Sequence, residues 1–193
     1  MVLRLLTPYT KEFEFRDSHC VPNINFSDII KNAPNIEYID IYDWDTNIQI
    51  DKTWPEDLLK YKKGKNFRNL SLKFGVIEEF NIEKLKEFIR TKCTSDITIY
   101  VRYDQNLDLD DEDQVEWEKM DKIIDKLNQY FDDTNESSGD AHIWIGFDGV
   151  DGYHTIPLEN YITPKVMPPK VKPPRVMSTR VMPSRAATKR RYV

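Results

Sequence analysis

The sequence predicts an α/β fold over residues 1–163: a stack of βα units with a largely parallel sheet, closed by a β-hairpin. A disordered C-terminal tail is expected over 164–193. Three observations carry this. Short segments with period-two apolar alternation are separated by segments with a helical period of three to four. Two of the strand segments, "IEYIDI" (36–41) and "FRNLSL" (67–72), share one finer pattern, apolar-x-x-apolar-x-apolar. Beyond Ile162 that periodicity stops, and a proline-rich basic segment takes over.

The elements follow in order. "EFEFR" (12–16) alternates apolar and polar residues and reads as a half-buried strand. "FSDIIKNAP" is a short helix, with Ser27 as N-cap, Asp28 in its first turn and Pro34 as its stop. "IEYIDIYDW" (36–44) is the next strand, apolar at Ile36, Ile39 and Ile41. Thr53 caps "WPEDLLKYKK", where Pro55 and two acids fit a first helical turn, and Gly64 ends that helix. "FRNLSLKFG" (67–75) puts Phe67, Leu70 and Leu72 on buried positions. "NIEKLKEFIRTK" is amphipathic, with Ile82, Leu85, Phe88 and Ile89 on one side. "DITIYVRY" (96–103) turns Ile97, Ile99 and Val101 inward. The longest helix spans about 114–131, with a stripe of Val115, Trp117, Met120, Ile123, Ile124, Leu127 and Phe131. "AHIWIGF" and "YHTIPL", joined through "DGVDG", form an antiparallel hairpin.

The pattern shared by "IEYIDI" and "FRNLSL" is the core of a leucine-rich repeat, in which each unit supplies one strand and one helical segment. A single unit cannot bury both its faces, so neighbours must stack and share a core. The sequence therefore predicts a leucine-rich-repeat-like stack. A compact α/β domain is the alternative, because any chain of βα units shows this pattern.

Two helix segments extend the comparison. "WPEDLLKY" (54–61) and "EKLKEFI" (83–89) fit the patterns W-x-x-D-L-L-K-[FY] and E-K-L-x-x-F-I. Together with the strands between them, they resemble the F-box-associated C-terminal region of the nematode-expanded F-box proteins. The likeness covers roughly residues 10–160. It implies a non-catalytic, substrate-binding recognition module, a relative of ubiquitin-ligase adaptors. The F-box itself, which docks on a Skp1-type adaptor, is not expected here, since strand "EFEFR" begins at residue 12. The resemblance thus implies an unidentified protein partner but no adaptor docking.

Charge is unevenly divided. Nine of the 28 Lys and Arg fall in 164–193 with no acid, leaving 19 cations against 33 acids in 1–163. A body of −14 therefore carries a tail of +9, an asymmetry that suggests an anionic partner for the tail or a tail resting on its own body. Cys20 and Cys93 form no C-x-x-C pair, so neither a disulfide framework nor a zinc site is implied. No signal peptide and no membrane span are visible, and an intracellular protein, cytoplasmic or nuclear, is expected.

Little in the chain points to catalysis or a cofactor. His142 and His154 fall on the two arms of the hairpin, yet no metal-binding spacing accompanies them, and His142 should lie on the outer strand face. Cys20 adjoins His19, but neighbouring side chains on a strand point to opposite faces. "DQNLDLDDEDQVE" (104–116) fails as a calcium loop: neither frame supplies the acidic ligand at the twelfth position. Its carboxylates suit a solvated loop, or a docking patch of Asp108, Asp110, Asp111, Glu112 and Asp113 for a basic partner, the chain's own tail included. Glycine-rich phosphate loops are absent from a chain with six glycines. Trp44, Trp54, Trp117 and Trp144, one per element, suit a core better than a stacking surface.

The tail repeats every five residues: Lys165, Lys170, Arg175, Arg180, Arg185 and Arg190. Its prolines prevent helix and favour extended polyproline-like backbone, and its scattered Val and Met cannot offset the entropy of ordering. Because five does not match the three-residue turn of that backbone, its cations line no single edge. The repeat is better explained by tandem duplication than by selection for geometry. Its functional readings are a nuclear-import or anion-binding cluster at Lys189, Arg190 and Arg191, contact with nucleic acid, or shielding of the acidic loop.

Overall fold

A computed structural model describes residues 2–16, 22–42, 47–104, 113–131, 141–147 and 153–158. After one 3-10 turn at Val2–Arg4 come β1 (Glu12–Phe15), β2 (Ile24–Asn25), α1 (Phe26–Asn32), β3 (Tyr38–Ile41), β4 (Ile48–Gln49) and α2 (Trp54–Tyr61). Then follow β5 (Phe67–Phe74), α3 (Ile82–Lys92), β6 (Cys93–Tyr103), α4 (Asp113–Phe131), β7 (His142–Phe147) and β8 (His154–Pro157).

Six strands form one sheet in the order β1-β3-β5-β6-β7-β8. The first five are mutually parallel, and β8 closes the edge antiparallel to β7. Chain order and spatial order coincide in this sheet, as expected when each connection is short and lands beside the strand it left. "IEYIDI" and "FRNLSL" are adjacent parallel strands, with Tyr38 beside Asn69, Ile39 beside Leu70 and Asp40 beside Ser71. The shared spacing is a register: it puts Ile39 and Leu70 on one face and Asp40 and Ser71 on the other.

The apolar face is the core. Ile39, Ile41, Leu70, Leu72, Ile99, Val101, Ile143 and Ile145 are all fully buried, in one cluster with Ile29, Leu58, Leu85, Phe88 and Leu127 from the helices. Each such side chain contributes roughly 1.5–3 kcal/mol of transfer free energy, so this cluster dominates the stability. The helices follow chain order too, α1 against α2, α2 against α3, and α3 against α4.

Several expectations needed correction at the ends of elements. The first helix begins at Phe26 with Asn25 in the N-cap position, not Ser27. Pairing of Asn25 with Gln49 in a small second sheet of β2 and β4 holds that residue extended and fixes where the helix starts. Ser27 instead accepts a hydrogen bond from Lys31 Nζ at 3.3 Å. Thr53 is the N-cap residue of α2 as expected, but its hydroxyl donates to Asp51 Oδ1 at 2.5 Å and makes no capping bond to a helix amide. Asn81 provides a side-chain cap, accepting from the Lys84 amide at 3.1 Å. β6 begins at Cys93, directly at the end of α3 and three residues earlier than the alternation indicated.

Candidate functional site

Period-two alternation sends every second strand residue to the face away from the helices. The register arranges these residues in rows. One row runs Glu14, Asp40, Ser71, Tyr100, Trp144 and Thr155 across all six strands. A second runs Glu12, Tyr38, Asn69, Thr98, His142 and Pro157. A third includes Lys73, Arg102 and Gly146, with Arg16 and Tyr42 just past the ends of β1 and β3. No described helix lies over this face, which is rich in tyrosine, tryptophan and arginine.

Its centre is a charge cluster around Asp40. This carboxylate is only 4% exposed although it sits on the open side, because long neighbours cover it. Arg16 donates to Asp40 Oδ2 through Nη2. Arg102 donates from one Nη2 to Ser71 Oγ at 2.5 Å and lies 3.5 Å from Asp40 Oδ1. The same guanidinium rests over the Tyr42 ring, 4.5 Å from its centroid, while Arg16 and Lys73 flank that ring at 5.8 and 6.0 Å. Lys73 also pairs with Asp104 at 3.6 Å. The bond to Asp40 raises the Arg16 pKa, and burial raises that of Tyr38. Arg102 Nε and Trp144 Nε1 are buried with no hydrogen-bond partner among the described residues. Arg16, Tyr38, Asp40, Tyr42, Ser71 and Arg102 line a shallow hollow of about 260 Å³.

An aromatic group occupies the half of the face nearer β8. Tyr100 and Trp144 stack with centroids 6.1 Å apart, and His142 and Tyr153 meet the Trp144 ring edge-on at 5.2 and 6.3 Å. Gly146 makes room for this: a Cβ there would come within 2.9 Å of the Tyr153 ring.

The structure sorts the sequence-predicted residues. His142 lies on the outer strand face as expected, but His154 pairs with Ile145, three positions along β7, so the two histidines do not converge. Among the described residues, no group of three His, Cys, Asp or Glu could hold a metal ion. Cys93 is buried, and desolvation pushes its thiol pKa up. The tryptophans divide differently from expectation. Trp54 is core at 1% exposure, but Trp144 lies on the open face and Trp117 is 39% exposed against Phe147. A tryptophan that alternates with Ile143 and Ile145 must face away from them, and that spacing was the signal. Trp44, His19, Cys20, Asp108, Asp110, Asp111, Glu112, Lys189, Arg190 and Arg191 lie outside the described residues. Asp113 opens α4. No described helix is long and apolar enough to cross a membrane.

A second hollow, of about 470 Å³, lies at the carboxyl ends of β4, β5 and β6, lined by Gln49, Lys52, Trp54, Phe74, Glu78 and Tyr103 among others. Its lining mixes both charge signs without a convergent donor set. Compared with known proteins, the chain matches no protein-family model, no curated protein and no solved structure.

Proposed function

We propose that this chain is a non-catalytic protein-recognition module whose binding surface is the open face of the six-stranded sheet. One observation carries the reading: Tyr38, Tyr42, Tyr100, Trp144, Arg16 and Arg102 share one face that the helices leave uncovered. Tyrosine, tryptophan and arginine are the residue types that concentrate binding energy at interfaces. Here they are held in place before any partner arrives, by cross-strand stacking and by Asp40, which lowers the entropy cost of binding. The likeness of "WPEDLLKY" and "EKLKEFI" to the substrate-binding region of F-box proteins supports the same reading.

Size narrows the partner. Five strand intervals of about 4.8 Å and strands about 20 Å long give a face of roughly 480 Å². That is little more than half of the ~800 Å² each side contributes to a standard protein interface. The face therefore fits an extended segment or a single helix of the partner, not a broad globular surface.

The test is selection from a displayed peptide library on the full chain, repeated on the Tyr100→Ala/Trp144→Ala variant. Peptides that win on the parent should lose at least ~30-fold in affinity on the variant, the ~2 kcal/mol of a hot-spot pair. Equal affinities for both would remove the open face as the binding surface.

A further inference from the structure

The hollow at the carboxyl ends of β4, β5 and β6 lies between two neighbouring connections, residues 50–53 leading into α2 and residues 75–81 leading into α3. Ligands of open α/β sheets sit outside the carboxyl ends of the strands, held by connections of this kind. Both connections are anchored. Ile77 and Phe80 are buried on either side of Glu78, and Ile48 and Trp54 are buried at the two ends of the other. The hollow is therefore formed before a ligand arrives. At about 470 Å³ it falls in the size range of small-molecule sites, roughly 300–1,000 Å³.

Its inner wall is aromatic. Trp54 and Phe80 meet with ring centroids 5.1 Å apart, and Phe74 and Tyr103 with theirs 5.6 Å apart. All four rings line the hollow. Trp54 is 1% exposed, yet its Nε1 is buried without a hydrogen-bond partner among the described residues. A buried N–H in that state carries a desolvation cost that an acceptor removes. Aromatic walls favour a flat ring, and the unpaired N–H favours a ring that brings an acceptor.

Charge selects against an ion. The lining holds two cations, Lys52 and Lys73, and two acids, Asp51 and Glu78. Lys73 is paired with Asp104 at 3.6 Å, and Asp51 Oδ1 accepts from both the amide and the hydroxyl of Thr53. Lys52 and Glu78 are exposed, of opposite sign and on opposite connections. Burial, and Glu78 after it, raise the Tyr103 pKa, so its hydroxyl stays neutral. A charged ligand would thus leave water for a lining with no net charge to offset its desolvation.

We propose that this hollow binds an uncharged heteroaromatic molecule, a flat ring system that packs among the four aromatic side chains and offers a carbonyl or ring-nitrogen acceptor to Trp54 Nε1–H. The site stands apart from the open face, since Tyr100 and Trp144 do not line it, and either can fail without the other.

The test titrates the full chain, with nitrogen-labelled tryptophan indoles, against three bicyclic probes. Carbostyril is uncharged and carries a ring carbonyl; naphthalenesulfonate is an anion and naphthylmethylammonium a cation. Carbostyril should shift the Trp54 indole N–H saturably and leave those of Trp117 and Trp144 in place, while the two ions leave Trp54 unmoved at the same concentrations. Trp54→Phe keeps an aromatic wall and removes the N–H, and should weaken carbostyril by about 5-fold, one neutral hydrogen bond, followed through the Tyr103 ring resonances. Because Trp54 is core, Val76→Trp gives a second variant: Val76 is 63% exposed at the lining, so the larger side chain narrows the hollow without touching the core, and the Trp54 shift should disappear. No saturable shift at Trp54, a larger one at Trp144, an ion that binds as tightly as carbostyril, or parent affinity in either variant would overturn the proposal.

Discussion

Asp40 is where the open face is most exposed to refutation. Its carboxylate and the Arg102 side chain are 6% and 12% exposed, so the pair is largely desolvated. Removing one partner of such a pair costs about 3–5 kcal/mol, since the remaining charge stays buried without compensation. In Asp40→Ala, Arg102 keeps Ser71 and the Tyr42 ring, and Arg16, half-exposed, turns to solvent. The loss should therefore lie near the lower limit, about 3 kcal/mol. For a chain of this size that lowers Tm by roughly 6–12 °C. Asp40→Ala/Arg102→Met should recover most of the loss, because no buried charge is then left alone. Urea denaturation followed by tryptophan fluorescence measures all three free energies. A single-variant loss under about 1 kcal/mol, or a double variant no better than the single, would show that the cluster is solvated and the face is not pre-arranged.

Lys62 gives a pH test. It is 1% exposed, donates to Lys63 O and to Asn66 Oδ1 at 2.7 Å, and burial lowers its pKa from 10.5 to about 8. Between those values the unfolded chain holds the proton and the folded chain does not, so stability rises with pH across that window, by up to about 3 kcal/mol. Lys62→Met should lack this rise. The difference between the two chains isolates it from Cys93 and Tyr103, whose raised pKa values act in the opposite sense above about pH 9; parallel profiles would refute the assignment. Gly146→Ala should cost about 1–3 kcal/mol in the same denaturation assay, because its Cβ meets Tyr153 backbone as well as ring, and should lower affinity for open-face peptides. An unchanged free energy would mean that Tyr153 moves aside freely.

The sequence disclosed the sheet better than the site. Ile39 and Leu70 repeat the same spacing, and a repeated spacing in neighbouring βα units becomes a shared register when both must bury the same face. Boundaries were less legible where tertiary pairing outweighs local preference: β2 and β4 have two residues each, too few to show a period, yet they decide that Asn25, not Ser27, precedes α1. The open face was hidden for a different reason. Asp40, Ser71, Tyr100 and Arg102 are polar positions in strands that read as outward-facing, and nothing local tells that 31 and 62 residues of separation bring Arg102 to Ser71 and Asp40. Only the in-order strand arrangement converts those scattered outward residues into rows. Trp144 was misjudged because composition favours burying tryptophan, whereas its alternation with Ile143 and Ile145 already placed it on the other side.

The most direct measurement is the side-chain response of the full chain to a peptide taken from the selection. Binding through the open face should shift the Trp144 indole and the ring resonances of Tyr38 and Tyr100, leaving the Trp54 indole and the α3 amides in place. Shifts concentrated on α2, α3 and α4, with Trp144 unmoved, would contradict the account.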